Sequence, residues 1–408
     1  MRIKMKDNKE LIKIKKYKIT EEKVVAIVFL AIIFSTLIFT VISKYEELKA
    51  EIVAIFENEQ TDGYGKVVEL TEKAETVFNE QIYGKDEFVD VYGLVQKILF
   101  KSYLEDSNDP TRDVVKLNNG MLTFLQKKED MVTRANHIAE LQKNIHEEGI
   151  PFIYIQAPYK IRDNSELPTG VADYANENAD VLLKTLNEQQ VETVDLREYF
   201  KEMPIQEEYF ITDHHWKIKT AFEAVNHISD ILNNEYNFNI DSFYTDINHY
   251  HIITQKNAYL GSIGKRNGRF YGGLDDFEYI VPNFETQLSV NKSGDVKNGS
   301  FEDTIIVKDL LGDDILLNKY ACYFGGDFPE IVIQNETSMS DKKVLVIQDS
   351  YGLPFSSFLS LRVKELRTID LRHFEGKEIE YIKEYKPDIV LMIYNPSSFY
   401  IEKNFQFE

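Results

Sequence analysis

Residues 343–352 read K-V-L-V-I-Q-D-S-Y-G, an apolar run that ends in an Asp-Ser pair and leads into L-P-F-S-S-F-L-S. A short, nearly all-apolar run bounded by polar residues is typical of a strand in a parallel sheet that is covered on both faces. The pattern therefore predicts a buried strand, a turn at Ser350 and then a helix. A serine in this position lies at the carboxyl end of a strand, where open α/β sheets bind their ligands. Ser350 and Asp349 are also common helix N-caps, so this stretch alone leaves a structural role open.

Other segments repeat the alternation of strand and helix. Apolar runs at 150–158 (I-P-F-I-Y-I-Q-A-P) and 388–394 (D-I-V-L-M-I-Y) predict buried strands, and K-I-K-T-A-F-E-A-V-N-H-I-S-D-I-L from 217 predicts an amphipathic helix. This order indicates an α/β fold, a doubly wound parallel sheet with helices on both faces. Residues 240–340 are rich in Tyr, Phe, Asn and Gly and break the rhythm, so we interpret them as a β-rich insertion.

The N-terminal region differs from the rest in charge and hydropathy. Residues 1–23 carry nine Lys/Arg and four Asp/Glu, whereas the whole chain has a net charge of −21. Residues 24–43 form an uncharged apolar run long enough to cross a bilayer as one helix. No small-residue cleavage site follows, so a retained anchor is favoured over a signal peptide. The basic segment is then cytoplasmic and the body extracytoplasmic, in a single-pass cell-membrane protein. The acidic body argues against binding nucleic acid.

The remaining chain divides into two parts. Residues 44–111 are charged with helical periodicity and are interpreted as a helical stalk or extension. The α/β pattern begins near residue 112 and continues to about 400. Cys322 is the only cysteine, so no internal disulfide forms and stability comes from the core.

A second polar stretch, T-D-H-H-W at 212–216, supplies partners for a serine nucleophile. Such a serine needs a base, and the base needs an acid to orient it. Asp-x-His spacing lets His215 face Ser350 while Asp213 accepts the other ring N–H. His is suited to proton transfer near neutral pH. Alternatively, the stretch only caps the following helix, with Asp213 at its N-terminus.

Metal binding is the other reading of these histidines. Adjacent residues point in different directions, so only one of the two histidines is expected to face a given site. His249 and His251 have strand spacing, but no carboxylate or cysteine cluster completes a standard ligand set. We therefore expect neither a metal nor a cofactor.

T-D-H-H-W combined with a later Asp-Ser-x-Gly after a strand resembles the DHHW family, which is related to the alginate O-acetyltransferase-like proteins of the SGNH hydrolase superfamily. Three further elements are similar to that group: A-P-Y-K-I-R-D-N-S-E-L-P (157–168), A-Y-L-G-S-I-G-K-R (258–266) and D-I-V-L-M-I-Y-N-P (388–396). The resemblance covers roughly residues 112–400. The sequence departs from the superfamily at Gln348, where Gly-Asp-Ser motifs carry Gly.

The resemblance implies a role for each site residue. Ser350 would be the nucleophile, His215 the general base and Asp213 the orienting acid. The backbone N–H of Ser350 would bind the oxyanion. The other residues expected near the oxyanion or the substrate are Tyr351, Gly352, Asn395, Lys160, Arg372 and Trp216. Of these, Trp216 would offer its ring as a surface for a sugar. Purely structural roles are the alternative: a turn for Asn395, exposed charges for Lys160 and Arg372, and a place in the core for Trp216.

The resemblance also implies the activity. The expected enzyme transfers an acetyl group, through an acetyl-serine, to hydroxyls of a cell-surface or secreted polysaccharide. A membrane-bound O-acyltransferase is the expected donor partner. Two alternatives remain open: a polysaccharide acetylesterase with the same triad, and a non-catalytic surface assembly protein that has kept the fold.

Overall fold

The computed structural model describes residues 20–58, 61–80, 82–106, 109 and 112–407. It divides into two compact units, Met1–Phe88 and Val89–Glu408. Most of the predicted cytoplasmic segment lies outside the described residues.

The first unit consists of helices α1 (Glu21–Ser43), α2 (Tyr45–Glu57) and α3 (Gly63–Glu80). Among the described helices only α1 is long and apolar enough to cross a membrane, and it fits the anchor predicted at 24–43. The α2 and α3 helices form a hairpin, in which Lys73 pairs with Glu51 at 2.5 Å and Lys66 Nζ donates to the carbonyl of Phe56 at 2.8 Å.

The second unit contains most of the secondary structure. A further helix, α4 (Lys85–Ile98), leads into it from the first unit. Its strands are β1 (Tyr103–Leu104), β2 (Val114–Lys116), β3 (Leu122–Phe124), β4 (Phe152–Gln156), β5 (Glu192–Asp195), β6 (Tyr250–Tyr259), β7 (Asp275–Pro282), β8 (Leu288–Lys292), β9 (Asp295–Gly299), β10 (Glu330–Asn335), β11 (Lys343–Gln348), β12 (Glu365–Ile369) and β13 (Ile389–Tyr394). Its further helices are α5 (Met131–His146), α6 (Ala175–Glu188), α7 (Leu196–Tyr199), α8 (Ile205–Glu208), α9 (Ile218–Tyr236), α10 (Gly264–Asn267), α11 (Arg269–Gly272), α12 (Phe301–Thr304), α13 (Gly352–Leu359) and α14 (Glu378–Tyr385).

The central sheet has eight strands in the order β5-β4-β13-β11-β12-β10-β8-β9. The five strands from β5 to β12 are parallel. The three strands from β10 to β9 are antiparallel, so the sheet is mixed rather than wholly parallel. All three antiparallel strands come from residues 240–340, which therefore extend the sheet as well as forming the separate β6–β7 ribbon.

The two faces of the parallel strands contribute to different cores. In β11, Val344 and Val346 pack into one hydrophobic cluster and Leu345 and Ile347 into the other. The first cluster includes side chains of α9 and α13, and the second includes those of α5, α6 and α14. Burial on both faces explains the continuous apolar run in β11, because neither face is left for polar residues.

The α9 helix connects the site loop to this core. Its buried residues recur at spacings of three and four. The helix ends at Tyr236, and the next residue, Asn237, adopts a left-handed conformation with φ of 56°. Asn tolerates that conformation better than most residues and often terminates helices in this way.

Candidate active site

Ser350 lies in the turn that joins β11 to α13. The strand ends at Gln348 and the helix begins at Gly352, so the serine is at the carboxyl edge of the sheet, next to the end of β13. The residue is partly exposed, whereas Asp349 before it and Tyr351 after it are buried. This is the position where parallel sheets place reacting groups.

The loop between α8 and α9 brings His215 to the serine. Nε2 of His215 lies 2.8 Å from Oγ of Ser350, and Nδ1 lies 2.6 Å from Oδ1 of Asp213. An ionised carboxylate only accepts, so the ring carries its hydrogen on Nδ1 and leaves Nε2 as the acceptor for the serine hydroxyl. Both ring nitrogens of His215 thus have protein partners.

Asp213 is buried and held by donors on all sides. Its Oδ2 accepts from the hydroxyl of Tyr259 at 2.8 Å and from the backbone N–H of Ser262 at 2.6 Å. Burial alone would raise the pKa of this carboxyl, but the charge and the hydrogen bond of His215, together with the N–H of Ser262, hold it well below its usual value. Asp213 is therefore ionised across the physiological range and stabilises positive charge on His215.

A glycine allows the 258–266 segment to reach Asp213. A Cβ added to Gly261 would lie 2.3 Å from Cβ of Asp213, closer than nonbonded carbons can approach. The segment resembling a shared family block thus supplies the side chain and backbone donors that surround the carboxylate.

Asp349 fixes the turn that carries the serine. Its Oδ1 accepts from the N–H of Tyr351 at 2.9 Å, and its Oδ2 accepts from the N–H of Asn395 at 3.1 Å and the hydroxyl of Ser398 at 2.8 Å. The ends of β11 and β13 are therefore joined through one carboxylate.

Gln348, the departure from the Gly-Asp-Ser pattern, fits because of a later glycine. Its Oε1 accepts from the hydroxyl of Ser356 at 2.5 Å. A Cβ on Gly352 would lie 2.3 Å from that same oxygen, so the absence of a side chain at 352 makes room for the glutamine.

Of the predicted oxyanion donors, three already have acceptors. The N–H of Tyr351 and the N–H of Gly352 bond to the side chain and the carbonyl of Asp349, respectively, and Nδ2 of Asn395 donates to the carbonyl of Pro158. Within the described part of the chain, the backbone N–H of Ser350 has no acceptor. It is thus the donor that remains for a developing oxyanion.

Trp216 and Lys160 lie beneath the site and not on its surface. The Trp216 ring is fully buried and donates from Nε1 to the hydroxyl of Tyr320 at 3.1 Å, so it offers no face to a sugar. Lys160 is also buried, and its Nζ donates to the carbonyls of Leu122, at 2.8 Å, and Asp213. Burial lowers the pKa of Lys160 to about 8, although Asp275 and Asp213 oppose the shift. Both side chains position the loop.

Arg372 lies at the same edge of the sheet but is paired. Its guanidinium contacts Asp370 and lies 2.8 Å from Asp327. Burial raises the pKa of Asp349, and the nearby positive charge of Arg372 opposes that shift. Arg372 therefore acts on the serine turn through its charge.

Two rings lie against His215: that of His214, its neighbour in the motif, and that of Tyr320, which no sequence pattern marks. The ring of Tyr320 stacks on that of His215 with centroids 3.8 Å apart and an interplanar angle of 11°. His214 lies on its other side at 3.8 Å and contacts the hydroxyl of Ser262 through Nδ1 at 2.9 Å. Burial and the charge of His215 lower the pKa of His214 to about 3, so it is neutral. The imidazole of His215 is thus held between two rings.

The comparisons with known proteins agree with this geometry. Residues 118–243 match the family model described as SGNH hydrolase-like domain, acetyltransferase AlgX. That segment contains Asp213 and His215 but ends before Ser350. No curated protein sequence matches the chain.

Solved structures extend the likeness beyond that segment. Two structures of Bacillus cereus PatB1 are 25% identical to this chain, and each alignment covers 72% of it. One alignment includes 99% of the PatB1 chain and has a TM-score of 0.61. The other, to PatB1 with a sulfonyl adduct, includes 97% of that chain and has a TM-score of 0.59. A DHHW family protein from Eubacterium siraeum is 19% identical, covers 70% of this chain and 91% of its own, and shares the fold at a TM-score of 0.55.

The resemblance drawn from the sequence is confirmed by these matches. Residues 118–243 are thus similar to an SGNH hydrolase-like acetyltransferase domain, and the likeness to a solved structure extends over 72% of the chain.

Proposed function

We propose that this chain is a membrane-anchored O-acetyltransferase that acts, through Ser350, on hydroxyls of a cell-surface or secreted polysaccharide. The observation that carries the proposal is the 2.8 Å contact between Oγ of Ser350 and Nε2 of His215, whose other ring nitrogen lies 2.6 Å from Asp213. A nucleophile, a base and an orienting acid in one hydrogen-bonded line are what acyl transfer requires.

The first half-reaction acylates the enzyme. Oγ of Ser350 attacks the carbonyl carbon of an acetyl ester while Nε2 of His215 takes the hydroxyl proton. The oxyanion of the tetrahedral intermediate accepts from the backbone N–H of Ser350, and the imidazolium is stabilised by Asp213. Collapse breaks the ester bond, and His215 returns the proton to the departing alcohol.

The second half-reaction transfers the acetyl group. A sugar hydroxyl attacks the acetyl-serine as His215 takes its proton, and collapse regenerates the hydroxyl of Ser350. Water in place of the sugar would yield acetate by the same steps, which is the reaction of an acetylesterase. The acceptor therefore decides between the two activities.

The acetyl group is supported by the family match, whereas the polysaccharide class rests on the resemblance of the sequence motifs to alginate O-acetyltransferase-like proteins. The matching family model names an acetyltransferase. Bacillus cereus PatB1 has been solved with a sulfonyl adduct, and sulfonylating reagents react with activated nucleophiles of the kind that His215 would produce at Ser350. The steps assigned here to the three residues agree with both.

The predicted membrane anchor indicates what kind of protein supplies the acetyl group. Helix α1 fits a single membrane span, and a tether raises the effective concentration of the body beside any membrane protein that supplies acetyl groups. We propose a membrane-bound O-acyltransferase as this donor partner, with the N-terminus cytoplasmic and the catalytic body extracytoplasmic.

The test uses the full chain in detergent micelles with p-nitrophenyl acetate, with and without acetyl-free oligosaccharides. Mass spectrometry follows acetyl on Ser350 and on the sugar, and Ser350→Ala is compared with Ser242→Ala, a variant at an exposed serine. Acetyl-sugar that requires Ser350 but not Ser242 supports the transferase. Acetate release alone, across a panel of glycans, supports the esterase instead. No acyl-enzyme and no turnover would favour a non-catalytic role.

A further inference from the structure

Helix α4 presents its apolar side to the outside of the molecule. Phe88, Val91, Val95 and Ile98 recur at helical spacing, and Leu99 follows directly after the helix; the exposed fractions of these five residues lie between 44% and 63%. These five residues are named the α4 stripe. A helix on a protein surface normally buries such a stripe against the core, so its exposure indicates a surface that contacts something else.

The opposite side of α4 is polar and packs against the second unit. Asp90 accepts from the backbone N–H of Arg269 at 2.7 Å and pairs with its Nε at 2.8 Å. A Cβ on Gly93 would lie 1.9 Å from the carbonyl oxygen of Asn267, so this contact requires glycine. Gln96 is also buried. The helix therefore cannot rotate to bury its stripe without losing these contacts.

Phe100 extends the exposed surface just past the helix. Its side chain is 91% exposed, and its backbone has a φ of 52°, in the left-handed region that residues other than glycine rarely adopt. The N–H of Phe100 donates to the carbonyl of Lys97 at 3.1 Å, which holds this turn. The N–H of Lys101 also donates to the carbonyl of Gln96 at 3.1 Å, so Phe100 takes the left-handed position that commonly ends a helix, and its ring faces outward.

The chain enters α4 at the end of the predicted membrane span. The α2–α3 hairpin returns the chain to α1, where the N–H of Tyr83 donates to Oγ1 of Thr40 at 2.9 Å. The Tyr83 ring lies 5.5 Å from that of Phe39, near the last residue of α1, Ser43. Lys85, two residues later, begins α4. Tyrosine is enriched at the level of lipid headgroups, so α4 starts where the bilayer surface is expected.

We propose that the α4 stripe and Phe100 lie in the interfacial region of the lipid bilayer and hold the body against the membrane. An amphipathic helix with its apolar side in the headgroup–acyl boundary is a known means of membrane association. The occupant is lipid rather than protein because the stripe begins beside the span and the same chain supplies the tether. This inference rests on α1 being a membrane anchor and is independent of the catalytic assignment.

The test is quencher accessibility in the full chain reconstituted into vesicles of neutral phospholipid. Val95→Cys and Val132→Cys place single labels at two valines of similar exposure, 44% and 49%, of which Val132 lies in α5 away from the stripe. The natural Cys322 is buried, and burial raises the pKa of its thiol, so labelling is selective. An environment-sensitive fluorophore is then challenged with spin-labelled lipid and with aqueous iodide.

The expected result is a blue-shifted emission at residue 95 that is quenched by the lipid and protected from iodide, with the reverse at residue 132. Protection from both quenchers at residue 95 would show that protein covers the stripe, either a second copy or another part of the chain, and would overturn the proposal. Equal iodide quenching at both positions, or equal lipid quenching at both, would overturn it as well.

Discussion

The hydroxyl of Tyr259 lies 2.8 Å from Oδ2 of Asp213, while the other carboxylate oxygen lies 2.6 Å from Nδ1 of His215. The acid of the triad is thus fixed from both sides. One partner is the base that it orients, and the other belongs to a ribbon strand, β6, that reaches the site from outside the central sheet.

Tyr259→Phe is expected to lower the acetyl-transfer rate without preventing folding. The phenyl ring keeps its packing, but Asp213 loses a hydrogen bond to an ionised group, worth about 1.5–3 kcal/mol. If about half of that free energy is lost in the transition state, kcat/KM falls about three- to tenfold. The rate with p-nitrophenyl acetate measures the effect. Tyr279→Phe, at a half-buried tyrosine of β7, is the matched control, and equal rates for the two variants would contradict the role assigned to Tyr259.

Asp213→Asn is expected to reduce turnover by about 10³–10⁴-fold. The amide can donate to Nδ1 of His215, which would place the ring hydrogen on Nε2 and remove the acceptor that faces Ser350. Turnover and the rate of acyl-enzyme formation, followed by mass spectrometry, measure the change. Asp276→Asn, at a partly exposed carboxylate on β7, should retain wild-type rates. A wild-type rate in Asp213→Asn would remove Asp213 from the mechanism.

The sequence predicts those parts of the fold and the site that are encoded by residues close together in the chain. The apolar runs of β4, β11 and β13 indicate buried parallel strands because neither face is polar. The neighbourhood of Ser350 and His215 follows from two local patterns, a serine after a strand and the Asp-x-His spacing. Each pattern restricts where its side chain can point.

Features that depend on contacts distant in sequence are not predictable in this way. The strands β8, β9 and β10 resemble any short β segments, and nothing local shows that they join the central sheet. The stack of Tyr320 on His215 joins residues 105 positions apart in the chain. The expectation that Trp216 is available to a sugar is wrong, because its neighbours in the motif do not reveal that the ring turns inward.

Gly261→Ala is expected to reduce activity more than stability. The added methyl would lie 2.3 Å from Cβ of Asp213, so the loop or the carboxylate must shift. Misplacement of a catalytic group by about 1 Å can cost about 100-fold in rate. The measurement is kcat together with the melting temperature. Gly63→Ala is the control because no atom lies within 4 Å of the place that its methyl group would take, and a rate in Gly261→Ala equal to that of the control would show that the close approach is not needed.

Glu208→Gln is expected to change how stability depends on pH. The Glu208 side chain is buried beside Arg162, and burial raises its pKa to about 7 even though Arg162 opposes the shift. In the unfolded chain a glutamate titrates near 4.3, so between about 4.3 and about 7 the folded state binds more protons. This contribution to stability is complete at low pH and is lost as the pH rises through about 7, on the order of a few kcal/mol at most. The amide that replaces the carboxyl does not titrate. The free energy of unfolding of the variant, measured by urea denaturation, should therefore fall less steeply than that of the wild type between pH 5 and 7.

The control is Glu207→Gln, at the exposed neighbour, which should keep the wild-type slope. Parallel curves for the wild type and Glu208→Gln would show that Arg162 keeps the carboxylate ionised throughout this range.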